Sequence, residues 1–169
     1  MTDNEDFDAF YLGSRTRLVH QLYAMTGDLG AAQDAAQEAY ARAWQRWGKV
    51  RMYDDPEAWL RTVAWRLVVS RWRKTRSALR AHARHGVAPP VPEPSPDNVA
   101  LVTALRALPE AQRRAIVLHH LCDLSVEDVA RETGVPTGTV KARLSRGRTA
   151  LGVLLGDPND RTDPEGSHV

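Results

Sequence analysis

The sequence predicts an all-α protein built as two small helical domains. Three observations carry that expectation. Residues 125–148, SVEDVARETGVPTGTVKARLSRGR, scan as a helix, a tight turn and a second helix. Residues 31–47, AAQDAAQEAYARAWQRW, are rich in the strongest helix former. Five prolines fall between positions 89 and 96 and divide the chain into two blocks.

In chain order, residues 6–25 read as a helix with Phe7, Phe10, Tyr11, Leu18, Leu22 and Tyr23 at apolar positions, weakened in the middle by Gly13. Thr26-Gly27-Asp28 punctuates, and Asp28 is placed to cap the turn after it. Over 31–47, Ala32, Ala35, Ala36, Ala39, Tyr40, Ala43, Trp44 and Trp47 make a small-and-aromatic stripe. Asp34, Gln37, Glu38, Arg42, Gln45 and Arg46 make the polar face. Residues 48–55 read as a loop. Asp55-Pro56-Glu57 then opens a helix with Asp at the cap, Pro at the first helical position and an acid in the first turn. Its core stripe is Trp59, Leu60, Val63, Ala64 and Leu67, and it ends in Arg71, Arg73, Lys74 and Arg76. Trp65 and Trp72 fall off that stripe, and aromatics interleaved with Arg suit base stacking.

Residues 77–98 read as a semi-extended linker, and 99–107 and 110–121 as two helices split by Leu108-Pro109. In the helix-turn-helix, Ser125 is the expected N-cap with Asp128 as its capping-box partner. Gly134 supplies the left-handed C-cap, and Thr137 is placed to cap the second helix. At about 100° per residue, Val140, Leu144, Gly147 and Leu151 share one stripe of that helix. Ala142, Ser145, Arg146 and Thr149 lie opposite, with Lys141 on a flank. Arg143 and Arg148 sit at the edges, where long side chains reach phosphates. A second helix of this kind lies in the DNA major groove. Residues 157–169 are polar, carry Pro and Gly, and are expected to be disordered.

Charge supports nucleic acid as the partner. The net charge is only +2, but residues 51–88 carry 9 basic against 3 acidic side chains and residues 111–156 carry 7 against 4. Two basic blocks fit a protein that grips nucleic acid at two places. Cys122 is the only cysteine, so no internal disulfide forms. His119, His120 and Cys122 cluster, but neighbours one and three apart on a helix converge poorly on a metal, and no metal or cofactor is expected. No apolar run approaches the roughly 20 residues of a membrane span, and no signal peptide is visible, so a cytoplasmic location is the default.

The blocks together resemble bacterial sigma factors of the extracytoplasmic-function type, group IV of the sigma-70 family. ALRALPEAQRRAIVLHHLCDLSVEDVARETGVPTGTVKARLSRGRTAL is similar to the family's region 4. AAQDAAQEAYARAW resembles region 2.2, and DDPEAWLRTVAWRLVVSRWRK resembles regions 2.3 and 2.4. The resemblance implies region 2 over 1–76, a linker over 77–98, region 4 over 99–156 and a tail over 157–169. The 20 Arg against 3 Lys suggest an actinobacterial, SigE-like member.

The resemblance also implies roles. Such proteins are not enzymes; they bind core RNA polymerase and direct it to promoters. Asp34, Gln37, Glu38 and Arg42 would dock on the clamp helices of the largest subunit, and region 4 would sit on the flap of the second-largest. Thr139, Lys141, Ala142, Arg143, Ser145, Arg146 and Arg148 would contact the −35 element. Lys49, Arg51, Tyr53, Thr62, Arg66, Arg73 and Lys74 would read and open the −10 element, with a flipped base held between the 48–55 loop and the next helix. Arg66 stands where the family commonly places Asn, and Ala35 and Ala36 replace bulkier aliphatics, a change expected to loosen local packing. An anti-sigma protein is an expected partner, and the free chain is expected to be a monomer.

Three other readings compete. An adaptor whose main role is to be held by a partner, such as an anti-sigma protein, is compatible with the sigma reading, and no residue identifies that partner. An autonomous helix-turn-helix regulator would need a dimerisation surface and a sensory or receiver domain, and residues 1–88 show no strand-helix alternation. An enzyme would need a phosphate loop, a nucleophile elbow or a metal spacing, and the sequence has none of them.

Overall fold

The computed structural model describes residues 2–77 and 94–156, and among these every regular element is helical. Helix α1 (Asp3–Thr26) starts earlier than its apolar pattern suggests. Thr2 and Glu5 close a reciprocal capping box, with the Thr2 N–H donating to Glu5 Oε2 at 2.8 Å. It ends at Gly27, whose φ of 71° is left-handed. Helix α2 (Leu29–Gln45) is capped as expected by Asp28, which accepts from the Ala31 N–H at 3.0 Å.

Five alanines, at 32, 35, 36, 39 and 43, lie on the buried face of α2 between α1 and α4 (Pro56–Ser77). Ala35 and Ala36 are 0% and 2% exposed. Their short side chains allow close helix approach, and the expected loosening is not what the packing displays. Phe7, Phe10, Tyr11, Tyr40 and Trp47 close the open end of this bundle, with ring centroids 4.9–6.4 Å apart. Trp44 packs on Phe7 at 5.0 Å but remains 47% exposed, so it is a rim residue of the stripe.

Within this core the Ser14 hydroxyl lies 2.6 Å from the Tyr40 hydroxyl. Burial pushes the Tyr40 phenol up to about 12, and it pushes the Cys122 thiol up to about 12 as well. In both cases the unfolded chain ionises first. Stability is therefore complete below about pH 8 and falls as pH climbs toward 12, first through Cys122 and then through Tyr40. Tyr40 alone is expected to contribute a loss of about 2–3 kcal/mol. Urea titrations from about pH 7 to 12 should record that fall, and Tyr40→Phe should remove the Tyr40 part of it and leave the Cys122 part.

The expected loop over 48–55 is partly helical. Helix α3 (Trp47–Val50) forms because Trp47 and Val50 are buried, with the Val50 N–H bonded to Arg46 O at 3.0 Å. Asp55 caps α4 as expected, accepting from the Ala58 N–H at 3.0 Å. The expected linker is shorter at both ends, since α4 reaches Ser77 and α5 (Pro96–Arg106) begins under a Ser95 cap with Pro first in the helix. The rest of that linker and the 157–169 tail lie outside the described residues.

Helix α6 (Glu110–Ile116) does not run to 121 as an α-helix. It widens into a π-helical turn, Val117–Leu121, closed by the Cys122 N–H on Val117 O at 3.0 Å. Asp123 follows with φ 60°, and His119 Nδ1 lies 2.7 Å from Leu124 O. Helix α7 (Val126–Thr133) has the Ser125 cap and the Gly134 turn at φ 69°. Only half of the capping box forms, because the Asp128 carboxylate pairs with Arg131 at 2.8 Å. In α8 (Thr137–Leu155) Thr137 is the first helical residue, and Pro136 occupies the cap without a side-chain bond.

Val140, Leu144 and Gly147 are buried as the wheel requires. Both domains are present, and α1 joins them by packing against α5, α6 and the π turn, so their apolar cores are continuous.

Candidate nucleic-acid interface

Helix α8 presents its basic face outward because its other face is fixed. Val140 and Leu144 are 1% and 2% exposed against α6 and α7. Gly147 permits the closest approach, since a Cβ there would lie 2.8 Å from Ile116 Cγ1. Lys141, Ser145, Arg146 and Arg148 are consequently exposed, and Thr139, Ala142 and Arg143 half-buried at the margins. The seven expected −35 contacts thus lie on one helix, and Lys141, Ser145 and Arg146 form its outer ridge.

The expected −10 set divides. On α4, Arg66, Arg73 and Lys74 are exposed and Thr62 half-buried. Trp65, Arg66, Val69, Ser70 and Arg73 line a shallow groove. Tyr53 reaches the start of α4, its ring 6.4 Å from that of Trp59, one turn before Thr62. Lys49 is exposed, whereas Arg51 is engaged by α1, 2.7 Å from Asp3 and 3.7 Å from Asp6. In this conformation Arg51 braces the loop against the helix start.

The base-stacking expectation for Trp65 is corrected. Trp65 is 7% exposed, with Trp72 edge-on at 5.9 Å and the Arg114 guanidinium 4.7 Å over its ring. A second stripe of α4, Arg61, Trp65, Val68 and Trp72, explains this: it faces inward alongside the stripe read from the sequence.

The third set lies on α2. Asp34, Gln37, Glu38 and Arg42 share a face, and Glu38 pairs with Arg42 at 2.7 Å. Sequence reasoning missed Arg71, grouping it with the basic end of α4. It reaches across to Glu38 at 3.2 Å and Asp34 at 3.7 Å and so orients the acidic face.

Arg61 was also missed. Its guanidinium donates to both Glu132 oxygens, at 3.3 and 3.2 Å, and lies 3.8 Å from Asp55. Burial works against its charge, but Glu132 and Asp55 outweigh that and hold its pKa above the usual arginine value. The signal in the sequence was an Arg in register with Trp65 and Val68, a position that requires a partner. Among the described residues no group of three or more His, Cys, Asp or Glu could hold a metal, and no helix is long and apolar enough to cross a membrane.

Comparison with known proteins places these surfaces in a family. Residues 10–78 match sigma-70 region 2, and residues 98–151 match sigma-70 region 4. The ECF RNA polymerase sigma factor SigM of Mycobacterium tuberculosis is 32% identical over 149 residues, which cover 83% of this chain and 72% of that protein. SigW of Bacillus subtilis is 29% identical over 156 residues, 82% and 83% of the two chains. The sigma factor RpoE of Bartonella quintana, solved in complex with the anti-sigma factor NepR, superposes with a TM-score of 0.74 at 27% identity, over 90% of this chain and 98% of that one. Two helical domains with outward basic faces and matches at both regions converge on one assignment: the chain belongs to the ECF group of sigma-70-family RNA polymerase sigma factors, which direct promoter-specific transcription initiation.

Proposed function

We propose a division of labour in which α8 reads the −35 element and α4 with the 49–53 segment reads and opens the −10 element. The observation that carries it is that one chain turns two separate cationic helix faces to solvent. Lys141, Ser145 and Arg146 reach base edges, and Thr139, Ala142, Arg143 and Arg148 complete the contact with bases and phosphates. Thr62, Arg66, Arg73, Lys74, Lys49 and Tyr53 follow the opened strand, and Arg51 joins them once it leaves Asp3. A bidentate base contact discriminates by roughly 1–3 kcal/mol, so each domain alone is a modest selector. Holding both on polymerase raises the effective concentration of the second site.

The acidic face of α2, Asp34, Gln37, Glu38 and Arg42, is the surface for the clamp helices of the largest subunit, and region 4 is the surface for the flap of the second-largest. The protein acts in the cytoplasm and is a monomer when free. An anti-sigma protein is its natural antagonist, a reading supported by the likeness to the NepR-bound sigma factor. The arginine-heavy composition and the mycobacterial relatives support an actinobacterial affinity.

In vitro transcription with core polymerase on a randomised promoter library tests this reading. Enriched templates should carry two elements at fixed spacing, and a chain that shifts promoter duplex but never co-elutes with core would be an autonomous regulator instead. Glu38→Lys is expected to weaken core association by about tenfold or more, read by titration of labelled protein with core. Region 4 should be unchanged by circular dichroism.

A further inference from the structure

The contact between the two domains is more specific than general packing. Arg61 and Glu132 are 71 residues apart, one on α4 and one on α7, and their side chains are 5% and 8% exposed. Two side-by-side bonds, at 3.3 and 3.2 Å, join them. A buried charge stripped of its partner is strongly unfavourable, so this pair favours the closed arrangement only while both members are present. Two further contacts join the domains. The Arg114 guanidinium covers Trp65, and Arg106 lies so close to Gly27 that a Cβ there would stand 2.5 Å from its side chain.

The arrangement holds α4 beside the helix-turn-helix. Arg61 precedes Arg66 on α4, and its partner Glu132 lies on α7, which packs against α8. By their names, the −10 and −35 elements are centred about 25 base pairs apart, about 85 Å along the duplex at 3.4 Å per pair. Helices tied together in this way cannot span that distance. The closed chain can touch one element, not both.

We propose that the Arg61–Glu132 pair is a latch that holds the free chain closed, and that it must break before both domains engage one promoter. The inference rests on the promoter reading above for its purpose. The latch itself is a property of the free protein. Opening removes Glu132 from Arg61 and Arg114 from Trp65, uncovering a cation and an aromatic face on α4 beside Thr62 and Arg66. The domain that docks first on polymerase therefore uncovers part of the −10 surface as the second departs.

The test is a pulsed dipolar distance measurement on the free full-length chain. Nitroxides go at Asp8 on α1 and Glu127 on α7, both exposed, in a Cys122→Ala background. The parent should give one narrow, short distance. Glu132→Gln, nearly isosteric but uncharged, should lower the closed-to-open ratio by about a hundredfold or more and give a broad, longer distribution. Exchanging the charges, Arg61→Glu with Glu132→Arg, should bring back the short distance.

A parent that is already broad, a Glu132→Gln chain that stays short, or a charge exchange that stays open overturns the latch. Helical content is checked for each variant. If Glu132→Gln loses it, Glu132→Asp decides in its place, with partial opening expected and an unchanged distance overturning the proposal. No DNA or polymerase is present, so failure here leaves the promoter reading standing, and failure of the promoter library leaves the latch intact.

Discussion

Replacing Lys141 and Arg146 together with alanine is expected to cut transcription from promoters that depend on a −35 element by about a hundredfold. Each side chain stands on the exposed ridge of α8, and neither takes part in the packing beneath it. A cation that contacts a base edge discriminates by roughly 1–3 kcal/mol. Two on one helix, contacting separate base pairs, combine to within the usual additivity of distinct sites. The loss should be confined to the −35 step. Co-elution with core polymerase should be unchanged, and templates with a scrambled −35 element should lose little. A parallel loss of core binding would move these residues from the DNA face to the polymerase face.

Gly147→Val should damage the same function by a different route. Its Cβ would stand 2.8 Å from Ile116 Cγ1 and 3.2 Å from Ile116 Cδ1, closer than side-chain carbons normally pack. A branched side chain there forces α8 away from α6, at about 1–3 kcal/mol and occasionally more. DNA affinity should fall although no DNA-facing residue has changed, because the ridge is displaced with its helix. Thermal denaturation of the Gly147→Val chain should show the loss. Ile116→Ala should restore part of it, with a coupling of about 0.5–3 kcal/mol between the two changes. Simple additivity would show that the two residues do not oppose each other.

What could be read from the sequence was local. Asp28, Asp55, Ser125 and Gly134 act within three or four residues of themselves, and each stands where the sequence put it. The Val140, Leu144 and Gly147 stripe follows from helical period alone and correctly aimed Lys141, Ser145 and Arg146 outward. The acidic face of α2 is likewise a matter of spacing.

What was hidden depended on distant partners. Gly48, Lys49 and Val50 look like loop by propensity, and only the burial of Trp47 and Val50 makes the segment helical. Trp65 seemed spare because one core stripe was assigned to α4, although that helix has neighbours on two sides. The π turn is a shift in hydrogen-bond register with no period of its own. Arg71 finds Glu38 across 33 positions and Arg61 finds Glu132 across 71, separations that no local pattern encodes.

The alanine face of α2 has a mechanical consequence. Neighbouring helices commonly stand about 8–10 Å apart, set by the side chains between them, and methyl groups favour the short end. On the proposed reading, polymerase is held by one side of α2 and promoter DNA by α4, packed on its other side. A single stiff helix is then the gauge block between enzyme and template. In this chain the methyls at 32, 35, 36, 39 and 43 are all buried, so a larger residue at any of them should push the helices apart and shift α4 relative to the polymerase face.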